Sequence, residues 1–262
     1  MGIVNASPDS FSADGCRDAE EAAARALDLL AQGADLIDIG AESTRPGHTP
    51  IPTEVEAQRL LPALERIRTL APHLVLSVDT FKPDLFRAAW AAGADILNSI
   101  WGLCDELRAA AAELATPVVI MHNKAVAVYE RDVVDEVLAY LEDQGTRAVR
   151  AGIPQHHVLL DPGIGFGKTA EHNLALLAAL DRVVALGFPT LLGTSRKSTI
   201  GKLTGRAVGE RSYGTAASVA LAAAAGIDVV RVHDVAQMRD VIEVTDAIVR
   251  GWRPTGWLDV LR

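Results

Sequence analysis

Eight short β-rich runs alternate with longer helical patterns along the whole chain, and this rhythm constrains the fold more than any other feature of the sequence. The runs are Gly2–Asn5, Ala34–Gly40, Leu74–Asp79, Asp95–Ile100, Pro117–Met121, His157–Asp161, Pro189–Gly193 and Asp228–Val232. Each is mostly Val, Ile or Leu, as expected of strands covered on both faces. Between them the period becomes helical: Ala57, Leu60, Leu61, Leu64 and Ile67 share one face, as do Val134, Val137, Leu138 and Leu141. Gly33, Gly93 and Gly226 each precede a strand and suit the left-handed position that stops a helix. With no Pro-rich or Ser/Gly-rich linker in 262 residues, the pattern predicts one domain, 1–262, folded as a single α/β (β/α)₈ barrel. A doubly wound sheet is the alternative, but it concentrates its site at one switch point, whereas polar residues here end strands all around the count. Residues 252–262 read as a packing tail with a short terminal turn.

Composition excludes several functions. Against 25 Lys+Arg stand 34 Asp+Glu, a formal net charge of −9, which argues against a general binder of nucleic acid or anionic membrane. The longest stretch free of charge and histidine, Ser212–Ile227, is too short to span a bilayer. The chain opens on a strand with no signal peptide, and Ala6 stands where a myristoylation motif wants Ser or Thr. Cys16 and Cys104 lack the spacing of a zinc site or disulfide framework, so a cytoplasmic location is expected.

In a barrel of this kind, chemistry sits at the C-terminal strand ends. There the sequence places Asn5, Glu42 to Arg45, Asp79, Asn98, His122, Asp161, Ser195 to Ser198, Arg231 and His233. Asp79, Asn98 and Asp161 suit a flat heterocycle rich in N–H donors. Lys197, Arg231, His233 and a helix starting near Ser198 suit phosphate or carboxylate, because barrels often bind phosphate after strands seven and eight. Together they imply a substrate with one heterocyclic and one anionic end. Pro162–Thr169, PGIGFGKT, nearly matches a phosphate loop, but Pro162 occupies the first glycine position and the topology differs. Its glycines more simply let that loop approach a ligand, with Phe166 as a wall. Asp38 reads equally as a structural carboxylate or a ligand contact, and His122 reads as a supporting histidine rather than a base. Asn5 can cap the first loop or offer an oxygen to Mg²⁺.

Taken in order, NASPDSFS (Asn5–Ser12), ESTRPG (Glu42–Gly47), SVDT (Ser77–Thr80), DPGIGFGKT with EHNL (Asp161–Leu174), SRKS (Ser195–Ser198) and RVHDV (Arg231–Val235) resemble the dihydropteroate synthase family. The resemblance implies a sulfonamide-inhibited folate-pathway transferase joining 4-aminobenzoate to (7,8-dihydropterin-6-yl)methyl diphosphate. It implies pterin contacts at Asp38, Asp79, Asn98, Met121, Asp161 and Lys197, and diphosphate contacts at Asn5, Arg231 and His233, with Mg²⁺ at Asn5. The 4-aminobenzoate side falls to Phe11, Thr44, Arg45, Pro46, Phe166, Lys197 and Ser198. Asp79, Asp161, Lys197, Arg231 and His233 carry the catalytic roles, and a homodimer is expected. Cys16 and the displaced Asp14 in the first loop, Ser99 after strand four and MHN after strand five depart from the family pattern. Two other functions fit the same residues less fully: a pterin binder that has lost catalysis, and a pterin-dependent methyltransferase, which would have no diphosphate for SRKS and RVHDV to hold.

Overall fold

A computed structural model describes residues 1–7, 15–42 and 50–255. Its strands are β1 (Gly2–Asn5), β2 (Leu36–Gly40), β3 (Val75–Asp79), β4 (Ile96–Ser99), β5 (Val118–Met121), β6 (Val158–Asp161), β7 (Leu191–Leu192) and β8 (Val229–Val230). The first six form one parallel sheet in chain order, and β7 pairs with β8. Two seams close the circle. The Leu160 amide donates to the Pro189 carbonyl at 2.9 Å, joining β6 to β7, while Ile3 N–H to Val232 O at 3.2 Å and Val232 N–H to Met1 O at 3.0 Å join β8 to β1. The result is the closed barrel expected from the sequence, and it rules out the open doubly wound sheet.

Around the barrel run α1 (Ala19–Ala31), α2 (Thr53–Leu70), α3 (Pro83–Ala91), α4 (Asp105–Glu113), α5 (Val133–Arg150), α6 (Ala170–Ala178), α7 (Leu180–Val184), α8 (Ser198–Thr204), α9 (Ser212–Ala225) and α10 (Val235–Val249). Short side chains cap the starts of α1 and α5: Asp18 accepts from the Glu21 amide, and Asp132 from those of Val134 and Asp135. Gly33, Gly93 and Gly226 adopt φ of 96°, 102° and 99°, the left-handed stop read from the sequence. Beyond α10, the Trp252 amide donates to Asp246 O at 3.2 Å; the expected terminal turn lies outside the described residues.

The predicted strand runs overshoot by one or two residues at most ends. At β7 the run Pro189–Gly193 shrinks to two residues, because the Asp228 carboxylate accepts from both the amide and the hydroxyl of Thr190 at 2.8 Å and replaces the ladder there.

Strand side chains alternate between the two faces. One set, including Ile37, Ile39, Leu76, Val78, Leu97, Ile120, Leu160 and Leu192, packs outward under the helices. The other set begins as an apolar plug of Met1, Val119 and Leu191 with Leu36, Ile96, Leu159 and Val229 packed against it. Two residues further along the same strands come Asp38, Asn98, Met121, Asp161, Gly193 and Arg231. By the period of two, these share the inward face, so the barrel interior is apolar at its base and polar above it.

Candidate active site

The polar layer is organised around Asp38, which is fully buried. One carboxylate oxygen accepts from the Ser77 hydroxyl at 2.6 Å; the other accepts from the Asn98 side-chain amide at 3.1 Å and from Arg231 Nε at 2.6 Å. β2 pairs with β3 so that Asp38 faces Ser77, and β3 with β4 so that Asp79 faces Asn98, which is what brings these groups together. Arg231 also reaches Asp79, with Nη2 to Oδ2 at 3.6 Å. Arg231 therefore spans from the barrel's last strand into the acidic pocket instead of standing apart from it.

Asp79 is buried, and its Oδ1 has no hydrogen-bond partner among the described residues. Burial, with the Asp38 charge adding to it, pushes the Asp79 carboxyl up to about 7 against the opposing pull of Arg231. Burial also raises Asp161, to about 6, although its Oδ1 accepts from the Gly163 amide at 2.7 Å and Lys197 stands near. An orphaned buried acceptor is costly unless a ligand supplies a donor. The two acids therefore suit a heterocycle presenting N–H groups to both sides of the pocket.

Lys197 stands over the Phe166 ring, with Nζ 3.9 Å from its centroid, and its stem runs close to Gly165. Its positive charge opposes the rise of both the Asp79 and the Asp161 carboxyl. On the far side His233 is set by Ser195, whose Oγ lies 2.8 Å from Nδ1 and accepts from the His233 amide at 3.2 Å. The backbone at Arg196 is left-handed, with φ 57°. Its guanidinium is tied to Asp234 and its amide to Thr215 Oγ1, which fixes the turn that aims Lys197 and Ser198. Ser198 opens α8 and is exposed. Asn5 ends β1, half-buried, and its carbonyl accepts from the buried Cys16 amide at 2.8 Å. Met121 is buried where β5 meets β6, opposite Asp161.

The loop after β6 is not a phosphate loop. Gly163 has φ 69°, and a Cβ there would lie 2.0 Å from the His122 carbonyl oxygen. The loop packs directly on the end of β5, where no larger residue fits. Lys168 locks it there, its ammonium donating to the carbonyls of Gly163 at 2.9 Å, Phe166 at 3.0 Å and His122 at 3.2 Å, and lying 2.9 Å from His122 Nδ1. Burial, with Lys168 beside it, holds His122 down to about 3, so the ring is neutral and supporting, as the sequence suggested.

The structure thus brings Asp38, Asp79, Asn98, Met121, Asp161, Phe166, Lys197, Arg231 and His233 to one barrel mouth, with Asn5 and Ser198 on its rim. Phe11, Thr44, Arg45 and Pro46 lie outside the described residues. Sequence reading missed three supports. Ser77 shares the inward parity of Asp79, a signal that was available. Ser195 and Lys168 sit inside motifs already singled out, but nothing local shows whom they hold. Of the departures from the family pattern, Ser99 is fully buried and its hydroxyl donates to the Gly102 carbonyl, so it fixes the turn after β4.

Such a mouth, acidic in its depth and basic on one side, is that of a barrel enzyme acting on a nitrogen-rich ring with an anionic substituent. Residues 1–233 match the family model described as pterin binding enzyme. The chain is 42% identical to dihydropteroate synthase of Bacillus subtilis, over 95% of this chain and 88% of that one. Among solved structures, dihydropteroate synthase of Xanthomonas albilineans with 4-aminobenzoic acid superposes with a TM-score of 0.90 at 46% identity, covering 97% of this chain and 93% of the other. That of Thermus thermophilus in complex with 6HMPPP gives 0.84 at 45%, covering 95% and 93%. The chain belongs to the pterin-binding enzymes, and within them to the dihydropteroate synthases.

Proposed function

We propose that this chain condenses (7,8-dihydropterin-6-yl)methyl diphosphate with 4-aminobenzoate, giving 7,8-dihydropteroate and diphosphate. The observation that carries this reading is the Oδ1 of buried Asp79, without a partner among the described residues, beside Arg231 in the inward polar layer that also holds Asp161. The bond from the pterin methylene carbon to the diphosphate oxygen breaks, its electron pair leaving with diphosphate. The aniline nitrogen then bonds to that carbon and releases a proton. Asp79, Asp161 and Asn98 hold the ring through its N–H edge, and the two carboxylates favour the positive charge that develops as diphosphate departs. Arg231 and His233 hold the diphosphate. Lys197 lies on the pterin beside Phe166, where Thr44, Arg45, Pro46, Phe11 and Ser198 would complete the 4-aminobenzoate side.

Mg²⁺ fits this donor set only in part through protein. Among the described residues no group of three or more His, Cys, Asp or Glu could hold a metal, whereas Asn5, at the end of β1, carries an amide oxygen of the hard kind Mg²⁺ takes. An ion that takes few protein ligands and keeps substrate phosphates suits that arrangement. When bound, it would neutralise charge on the leaving diphosphate.

The protein would work in the cytoplasm as a homodimer; no helix of the described residues is long and apolar enough to cross a membrane. Incubation with both substrates and Mg²⁺, following diphosphate release and dihydropteroate formation, tests the reading. Turnover dependent on 4-aminobenzoate is expected. Pterin binding without turnover would identify a binder that has lost catalysis and overturn the proposal.

A further inference from the structure

The EHNL stretch, residues 171–174, has no part in the chemistry above, yet it places a buried amide beside the elements that carry Lys197. Asn173 lies on the inner face of α6, with Leu176 one turn further on, and is 2% exposed. Leucine would suit that face better, since asparagine is a weak helix former and a buried amide is costly unless its hydrogen bonds are made. Both ends of this one are used. Asn173 Oδ1 accepts from the Gly165 amide at 2.8 Å, and Nδ2 donates to Thr199 Oγ1 at 2.9 Å. A backbone N–H can only donate, so Gly165 fixes which end of the side-chain amide faces each partner.

The positions of the two partners give this amide its meaning. Gly165 belongs to the loop after β6, where a Cβ would stand 3.1 Å from Lys197 Cδ, so the loop backbone runs along the lysine stem. The next residue, Phe166, presents its ring to the ammonium at 3.9 Å. Thr199, itself buried, follows Lys197 by two residues in the first turn of α8. One amide therefore ties the surface on which the lysine side chain rests to the helical turn from which that side chain springs. Arg196 ties the same turn to Thr215 on α9 and to Asp234 before α10; Asn173 ties it to the loop after β6.

We infer that Asn173, through Gly165 and Thr199, is a positioning residue that holds the Lys197 ammonium over the Phe166 ring and thereby governs binding of the pterin. The inference rests on the proposed function, which places Lys197 on the pterin.

The test is a double-mutant cycle, read by calorimetry with 7,8-dihydropteroate. Asn173→Leu removes both hydrogen bonds at similar volume, Thr199→Val removes one of them, and Thr199→Ser keeps it. Asn173→Leu is expected to raise the Kd about tenfold, but less than about twofold when Lys197→Met is already present, because a residue acting through Lys197 has nothing left to position. Thr199→Val should shift the same constant less, and Thr199→Ser should restore it; should Asn173→Leu fail to fold, Thr199→Val carries the cycle. The same loss in both backgrounds, or no loss in either, overturns the positioning role. A second readout needs no ligand: labelling of Lys197 by acetic anhydride, referred to the exposed Lys202 on the same helix, should quicken in Asn173→Leu and in Thr199→Val. An unchanged ratio in the folded variants overturns the inference. A wild type that binds dihydropteroate without turnover, or does not bind it, fails the functional reading instead, and the labelling ratio then decides the role of Asn173 separately.

Discussion

At the scale of single residues, the acids divide by what their neighbours supply. Asp38 collects three donors and is a structural hub, whereas Asp79 keeps an oxygen with none among the described residues. Its ordinary value near 4 is pushed up to about 7, so between those values the folded protein retains a proton that the unfolded chain releases. The stability tied to that proton is fully present below about pH 4 and is lost as pH rises through about 7. A tenfold change in proton affinity corresponds to about 1.4 kcal/mol, so ionising Asp79 in the folded protein costs a few kcal/mol. Asp79→Asn cannot ionise; it should abolish turnover, yet its melting temperature should gain on the wild type by several degrees between pH 5 and pH 8. A gap that stays constant over that range would show that the carboxyl is not strained. Asp79 and Asp161 were legible in the sequence as acids ending apolar runs. The role of Asp38 was not, because its ion-pair partner Arg231 lies 193 positions away and only barrel closure joins them.

At the scale of elements, the loop after β6 shows how a misleading motif acquires a physical meaning. GFGK resembles a phosphate cradle, but the glycines permit a close approach to β5 and the lysine fastens it. Gly163→Ala would place a Cβ against the His122 carbonyl at a left-handed residue, displacing the amide that Asp161 accepts. Gly152 is equally left-handed, φ 105°, but has open space where a Cβ would stand. Left-handed strain alone costs about 1–2 kcal/mol. Chemical denaturation should return about that for Gly152→Ala with activity kept, and a clearly larger loss for Gly163→Ala with pterin binding impaired. Equal losses would mean that the close approach is not what Gly163 serves. Strand order and helix stops were readable because several αβ turns, at Gly33, Gly93 and Gly226, repeat the same glycine device. The length of β7 was not, since the Asp228 side chain that shortens it arrives from the next unit.

At the scale of the whole molecule, the described site residues converge on one barrel mouth from strands all around the closed circle. The outer surface does suggest one. α9 and α10 pack side by side, and along α9 Tyr213 and Leu221 are exposed, with Val244 and Ile248 one turn apart on α10. Exposed apolar side chains on adjacent helices mark an interaction surface, and a self-complementary face produces a closed pair. On the proposed homodimer, Leu221→Glu combined with Ile248→Glu should place buried charge in the interface and convert a dimer to a monomer in sedimentation velocity. The monomer should retain turnover per chain, because Asp79, Asp161, Lys197, Arg231 and His233 all lie within it. A wild type that sediments as a monomer, or a doubly substituted protein that still sediments as a dimer, would remove this face from the assembly. A monomer that folds but no longer turns over would show instead that the second barrel steadies the strand-seven and strand-eight loops, which lead into α8 and α10.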